Sequence, residues 1–181
     1  MVISAQLKAG TTSPPTTDST AFRDAMARFP SGVTIVTTHD DSGTPHGFTA
    51  SSFCSVSAEP PLVLVCLARS ANSYPVFVRS NRFAISILQA DHVEVARRFA
   101  SKNTEKFACG EFARTASGAT VLETASAVVE CSVYRRYEAG DHMIMVGAVE
   151  HVSLTDVRAP VVYFDREFNT ICSTLCNSHI A

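Results

Sequence analysis

Strand-like apolar runs separated by short turns follow one another along most of the chain, with few helical segments between them. These runs are VTIVTT (33–38), LVLVCL (62–67), RFAISIL (82–88), SAVVECSVYRRYEA (126–139), HMIMVGAVEHVSL (142–154) and PVVYF (160–164), which is the last predicted strand. Parallel strands need crossover connections of about a dozen residues or more, whereas antiparallel strands are joined by short turns. The pattern therefore predicts a mainly β fold with flanking helices, arranged as an antiparallel barrel rather than a parallel sheet.

The segment DSTAFRDAMARF at 18–29 has the period of an amphipathic helix. Phe22, Met26 and Phe29 share one helical face, and Asp18 or the serine after it can cap the first turn. This segment is therefore predicted to form the first helix.

Two further segments have helical character. SANSYPVFVRS at 70–80 predicts a short helix or turn, and DHVEVARRFA at 91–100 predicts a helix with a start that resembles a capping box. Residues 101–120 lack a strong period and predict a loop with a short helix. Gly140 and Asp141 join the two longest strands, which predicts a β-hairpin.

Length, charge and hydropathy limit the class of protein. A chain of 181 residues fits one domain, and we predict that it spans residues 19–170, between a floppy tail at 1–18 and a second tail at 171–181. The formal net charge of −2 provides no basic surface for nucleic acid or for an anionic membrane. No apolar run approaches the roughly 20 residues that cross a bilayer, and the first 20 residues do not resemble a signal peptide.

The six cysteines are predicted to be reduced thiols of a cytoplasmic protein, because no export signal is evident. Cys172, Cys176 and His179 are spaced like metal ligands, but a structural zinc site takes four ligands and this segment supplies three. No metal site is therefore predicted.

The stretch HGFTASSFCSV at 46–56 fits neither a strand nor a helix well. It is rich in hydroxyl side chains and nearly uncharged. Thr49, Ser51, Ser52, Ser55 and Ser57 supply donors and acceptors, which suit the polar edge of a flat ring such as flavin. The residues alone leave a second interpretation open, in which these hydroxyls bond locally to the backbone.

Two common nucleotide-binding motifs are not found in the sequence. There is no G-x-G-x-x-G after a predicted strand and no G-x-x-x-x-G-K-[ST]. A bound nucleotide is therefore not expected to lie on a Rossmann unit or a P-loop.

Several segments, taken in order, resemble the flavin reductase-like family, whose members serve two-component monooxygenases. They are FRDAMARFPSGVTIVTT, HGFTASSFCSVSAEPPLVLVCLARSANSYPVFVRSNRFAISIL, RRFA, AGDHMIMVGAVE and PVVYFDREF, within about residues 20–170. The resemblance implies an FMN-binding split β-barrel, usually a homodimer. It also implies reduction of FMN or FAD by direct hydride transfer from NADH, or from NADPH in its place, and release of the reduced flavin to a separate monooxygenase.

The resemblance implies which positions contact the flavin. They are Ser31 and Gly32; Thr49, Ala50, Ser51 and Ser52 along the ring edge; Cys66, Leu67 and Ala68 along the ribityl chain; Ser70, Asn72 and Ser73 near phosphate or ribityl oxygens; and Phe99, Ala100 and Lys106, the last as a phosphate partner. The plain alternatives are a helix cap for the Ser/Asn cluster and a solvated surface lysine for Lys106.

The nicotinamide side is implied by GDH at 140–142, where His142 would donate a hydrogen bond to the second substrate. Arg166 would pair with pyrophosphate or, alternatively, form a surface ion pair. No catalytic nucleophile or general acid is predicted, since hydride passes directly from one ring to the other. Cys54 is interpreted as a packing residue.

Two other functions remain open from the sequence. A split barrel can retain its flavin and oxidise or reduce its own substrate, or it can bind flavin or haem without turnover. The GDH turn favours the flavin reductase, because a storage protein needs no nicotinamide contact.

Overall fold

The computed structural model describes residues 18–102, 105–156 and 159–171. The strands within these ranges are β1 Ser31–Gly32, β2 Thr34–His39, β3 Pro45–Ala50, β4 Cys54–Ala58, β5 Pro61–Ala68, β6 Arg82–Ile87, β7 Phe112–Arg114, β8 Thr120–Leu122, β9 Ala127–Ala139, β10 His142–Leu154, β11 Val161–Phe164 and β12 Glu167–Thr170. The helices are α1 Ser19–Ala27, α2 Tyr74–Arg79 and α3 Val93–Ala100, the last preceded by a 3₁₀ turn at Ala90–His92. The predicted mainly β fold with flanking helices is confirmed.

The main sheet has seven antiparallel strands in the order β3-β2-β6-β9-β10-β5-β4. The chain passes from β3 at one edge to β4 at the other edge through residues 51–53 alone. Because one residue spans at most about 3.6 Å, the two edges must lie close together. The sheet is therefore rolled into a barrel that is split between β3 and the β4–β5 pair.

Apolar side chains pack on both surfaces of the rolled sheet. The inner core contains Val36, Val65 and Met145 from the strands, and Phe77 of α2 packs with them. The outer core lies between the sheet, α3 and β8, and Phe99 of α3 belongs to it. β2 contributes to both cores, so almost all of its residues are buried instead of alternating as a half-exposed strand would.

Three local predictions were wrong. Residues 101–120 contain β7 and the turn that leads into its partner strand β8, and the described part of this segment has no helix. A further strand, β12, follows the predicted last strand and pairs with it. The hydroxyl-rich stretch consists mostly of the strands β3 and β4. Phe48 and Ala50 are alternate residues of β3 and both are buried. The small residues around them give the sequence no clear alternation of apolar and polar side chains.

The predicted helix α1 forms, and the Asp18 side chain accepts a hydrogen bond from the Thr20 backbone N–H. Its apolar face does not pack into the core of its own chain. Phe22, Met26 and Phe29 are 57%, 54% and 69% exposed. The described residues therefore leave this apolar face exposed, which is typical of an interaction surface.

No helix among the described residues is both long and apolar enough to cross a bilayer. Groups of His, Cys, Asp and Glu suited to hold a metal ion are likewise not found in the described ranges. Cys172, Cys176 and His179 lie outside the described residues, as do residues 1–17 of the predicted N-terminal tail.

Candidate functional site

A cleft of about 340 Å³ lies where the two edges of the rolled sheet approach each other. Its walls are the end of β3 with the link that follows, the end of β5, the segment before α2, the end of α3 and the start of β10. From the positions implied by the family resemblance, the cleft brings together Thr49, Ala50, Ser51, Ser52, Cys66, Leu67, Ala68, Ser70, Asn72, Ser73, Phe99, Ala100, Lys106 and His142.

Ser31, Gly32 and Arg166 do not line this cleft. The first two form β1, which pairs with β11 in a separate small sheet. Arg166 lies in the turn between β11 and β12, and its guanidinium pairs with Asp24 of α1. Within one chain, the contacts of Arg166 therefore support a surface ion pair rather than a contact with pyrophosphate.

Ser55 and Ser57, which the sequence predicts as ring donors, lie on edge strand β4 and do not line the cleft. Cys54, the first residue of that strand, is exposed in the chain. Its interpretation as a packing residue is therefore wrong for the single chain.

Two of the predicted ring donors already bond to the backbone. Thr49 Oγ1 donates to the carbonyl oxygen of Ala96 at 2.6 Å and so ties β3 to α3. Ser52 Oγ accepts from the Cys66 N–H at 2.9 Å and faces the Cys66 carbonyl oxygen at 3.4 Å. Local bonding to the backbone, the second interpretation of this stretch, thus holds for Thr49 and Ser52. By contrast, the Ser51 hydroxyl is exposed and has no hydrogen-bond partner in the described part of the chain.

We expect Ser52→Ala to destabilise the ligand-free protein, because it removes the hydroxyl that joins the β3–β4 link to β5. The loss should be about 1–3 kcal/mol, or several degrees in Tm. Ser51→Ala is the matched control and should change stability by less than about 0.5 kcal/mol. Thermal unfolding without flavin measures both, and equal melting temperatures for the two variants would contradict the bridging role.

Ser73 contributes a hydroxyl for which the described residues offer no partner. It precedes α2, is 5% exposed and lines the cleft, yet its Oγ makes no hydrogen bond within the described ranges. Leaving a buried hydroxyl unpaired costs about 1–3 kcal/mol. A ligand oxygen in the cleft would satisfy it.

The neighbouring Asn72 closes one end of the cleft. Its Nδ2 donates to the carbonyl oxygen of Lys102 at 2.6 Å, which links the segment before α2 to the segment after α3. Asn72 therefore positions the wall with its amide, in addition to any contact with a ligand.

Lys106 is fixed in place rather than solvated. Its Nζ donates to the carbonyl oxygens of Phe99 at 2.8 Å and Gly47 at 3.1 Å. Burial lowers the pKa of Lys106, which means that the charged form lacks part of its solvation. A phosphate in the cleft would compensate that loss, because no carboxylate lines the described cleft.

His142 opens β10 and lies on the rim. Its Nδ1 is 2.7 Å from Asp141 Oδ1, and this hydrogen bond lowers the pKa of Asp141. An Nδ1–H that donates to the carboxylate leaves Nε2 of the neutral ring as an acceptor. The neutral ring would therefore accept a hydrogen bond from a carboxamide N–H, rather than donate one as the sequence suggested.

Sequence reasoning missed Phe48, Ala71, Ser101 and Lys102, which also line the cleft. Phe48 and Leu67 are both buried and give the cleft an apolar floor. Lys102 lies only four residues before Lys106, and this spacing was the sequence feature that could have predicted it as a second cation near the cleft. The combination of apolar floor, small-residue walls, an unpaired hydroxyl and a fixed ammonium suits a flat ring that carries an anionic tail.

Comparison with known proteins leads to the same class of ligand. The sequence matches the family described as "Flavin reductase like domain" over residues 26–172. The chain belongs to the flavin reductase-like family.

Two curated relatives of this flavin reductase illustrate the range of the family. The present chain is 60% identical to the actinorhodin polyketide dimerase of Streptomyces coelicolor, over 86% of this chain and 88% of that protein. It is 35% identical to the reductase subunit of a flavin-dependent monooxygenase of Mycobacterium tuberculosis over 85% of this chain and 83% of that one.

A solved structure agrees in fold. The NADH:FAD oxidoreductase of Streptomyces globisporus C-1027, in complex with NAD and FAD fragments, superimposes with a TM-score of 0.82. The two are 33% identical, over 87% of this chain and 95% of that chain. The split-barrel prediction and the flavin-reductase prediction are thereby confirmed.

Proposed function

We propose that this flavin reductase transfers hydride from NADH to FMN or FAD and supplies the reduced flavin to a separate monooxygenase. The observation that carries the proposal is the cleft itself. Its lining includes Lys106 and the buried Ser73 hydroxyl, which has no partner among the described residues, and it also includes His142, which pairs with Asp141. The first feature suits a flavin phosphate or ribityl oxygen, and the second suits a nicotinamide carboxamide.

The chain contributes binding and orientation to the reaction. Phe48 and Leu67 form a floor against which a flat ring can lie, with Ser51 at its exposed edge. Ser73 and Lys106 would hold the anionic tail. When bound, the flavin supplies a ring that accepts hydride directly from the nicotinamide. The side chains therefore need only to bring the two rings into contact and keep them there.

The identity of the acceptor is tested by mixing protein, NADH and excess FMN or FAD and following the nicotinamide absorbance. Many turnovers per protein would support a reductase that releases its flavin. A single turnover per protein would favour the alternative in which the flavin is retained, and no oxidation of NADH would favour a binding module. Adding a flavin-dependent monooxygenase then tests whether released flavin sustains hydroxylation.

We expect His142→Ala to raise the KM for NADH about five- to tenfold, because one hydrogen bond to the second substrate is lost. Flavin affinity should hardly change, since Ser73 and Lys106, which would hold the anionic tail, are left intact. His151→Ala removes an exposed imidazole elsewhere on β10 and serves as the control. Equal damage to the NADH and flavin constants would show that His142 instead supports the barrel.

We further propose that the protein is a homodimer. The supporting features are the exposed apolar face of α1 and the partly exposed outer face of β5, whose alternate residues are buried inside the barrel. A strand that is apolar on both faces calls for cover on both. An obligate interface of this kind buries roughly 2,000 Å² or more.

Charge introduced on that face should dissociate the dimer. Light scattering of the wild-type protein should give twice the chain mass of 19.4 kDa, whereas Met26→Glu should shift it toward the single-chain mass. Thr20→Glu, on the opposite face of α1, should leave the mass unchanged. A wild-type protein that is monomeric at micromolar concentration would contradict the proposal.

A cytoplasmic location is also proposed. The cysteines in the described part of the chain are all free thiols, as expected in a reducing compartment. NADH as the hydride donor fits the same compartment.

A further inference from the structure

The segment that carries Lys106 belongs to no helix or strand. It lies between the end of α3 and the start of β7, and residues 106–109 form turns. A loop of this kind keeps one position only where contacts with the rest of the fold hold it. The place of the Lys106 ammonium group in the cleft wall therefore depends on what fastens residues 106–111 to α3.

One guanidinium group makes three contacts with this segment. Arg98 Nε donates to the Lys106 carbonyl oxygen at 3.1 Å, and the two terminal nitrogens contact Cys109 Sγ at 3.1 Å and the Glu111 carboxylate. The Arg98 side chain is only 18% exposed, so these contacts are largely shielded from water. A planar guanidinium meets several acceptors at fixed angles, which the single ammonium group of a lysine cannot do. Arg98 therefore fastens the segment to α3 near both of its ends.

The Lys106 side chain returns to the same part of α3. Its Nζ donates to the carbonyl oxygen of Phe99, the residue that follows Arg98, and to that of Gly47. Arg98 thus holds the backbone of Lys106, while the other two residues hold its ammonium group. Arg98 itself does not line the cleft. A ligand in the cleft would therefore meet Lys106 but not Arg98.

We propose that Arg98 is a positioning residue for the flavin phosphate and that it thereby favours FMN over riboflavin. It acts through Lys106, whose ammonium group it keeps at the cleft wall. FMN and riboflavin share the ring and the ribityl chain, and only FMN carries the phosphate that would pair with Lys106. The inference rests on the proposed function, since that function brings a flavin to the cleft.

Arg98→Lys tests this role, because it keeps the positive charge and removes the fork. The Kd for FMN should rise about fivefold or more, whereas the Kd for riboflavin should change by less than about twofold. Arg97→Lys is the matched control and should change neither constant, because Arg97 is the preceding residue of α3, is exposed and pairs with Glu94. Fluorescence titration of the full chain with each flavin measures both constants. Equal losses for the two flavins, or no loss for FMN, would overturn the positioning role.

A double-mutant cycle with Lys106→Met shows whether the effect passes through Lys106. Once the ammonium group is removed, Arg98→Lys should weaken FMN binding by less than about twofold further. A further loss as large as in the wild-type background would mean that Arg98 acts by another route, and would overturn the proposal.

Glu111→Gln loosens the same guanidinium from its other side and serves if Arg98→Lys does not fold. It should raise the Kd for FMN about twofold or more and leave that for riboflavin unchanged, because an amide holds the guanidinium less firmly than a carboxylate does. Unchanged FMN binding in this variant would count against the positioning role.

The proposed function has a separate measurement, the oxidation of NADH by the wild-type protein with FMN or riboflavin as acceptor. If the wild type reduces flavin but Arg98→Lys binds both flavins normally, the positioning role alone is overturned. If Arg98→Lys weakens FMN binding selectively but the wild type reduces no flavin, the proposed function is overturned and the positioning role stands.

Discussion

Replacing Ser73 with alanine is expected to weaken FMN binding about tenfold while leaving the ligand-free protein as stable as the wild type or more stable. The Ser73 hydroxyl is buried and unpaired in the structure, so the ligand-free protein carries its desolvation cost. Ser73 also makes no side-chain cap bond to α2, so alanine removes no helix cap. Flavin binding, by contrast, would lose the hydrogen bond that the hydroxyl gains from the ligand, worth about 1–1.5 kcal/mol.

Ser80→Ala provides a matched control at the other end of the same helix. The Ser80 hydroxyl donates to the Phe77 carbonyl oxygen at 3.1 Å and lies outside the cleft. This variant should lower Tm slightly and leave the Kd for FMN unchanged. Fluorescence titration and calorimetry measure the two quantities. A Ser73→Ala protein that melts lower and binds FMN as well as the wild type would show that the serine serves the fold alone.

Strands were predictable from the sequence wherever a single continuous segment is long and apolar enough to show a strand pattern. The runs that became β2, β5, β6 and the β9–β10 hairpin are long and apolar, and the hairpin turn is marked by Gly140, which has a φ of +60°. The β7–β8 pair was missed because three-residue strands carry too few residues to show a period.

The roles of individual site residues were less predictable, because they depend on partners distant in sequence. Ser51 and Ser52 are adjacent and chemically identical, yet only Ser52 meets the backbone of Cys66. That contact exists because the rolled sheet brings β5 beside the β3–β4 link. Arg166 likewise reaches Asp24, which is 142 residues away. The positions implied by the family resemblance mostly meet in one cleft, but the resemblance could not say which hydroxyls the fold had already used.

Gly147→Ala is expected to destabilise the protein by about 2–3 kcal/mol and to lower Tm by ~5–10 °C. Gly147 lies in β10 at a register shift opposite β9, inside the hairpin that forms the middle of the main sheet. A Cβ at this position would stand 2.5 Å from Phe83 Cζ and 2.8 Å from Cys131 Cβ. Both neighbours belong to the tightly packed inner core, where an added methyl group forces side chains from their preferred rotamers.

Two further variants separate this packing cost from any effect of glycine on the backbone. Gly32→Ala places its Cβ in open space and should leave Tm within about 1 °C or raise it slightly, since alanine restricts the unfolded chain. Phe83→Leu removes the ring edge that the new methyl group meets, so it should cost less in the Gly147→Ala background than in the wild type. Calorimetry of the four proteins in this double-mutant cycle measures the coupling directly. If the stability losses of the two single variants simply add in the double variant, the new methyl group does not press on the Phe83 ring. The close contact between Gly147 and Phe83 would then not determine how β10 and β6 pack on either side of β9.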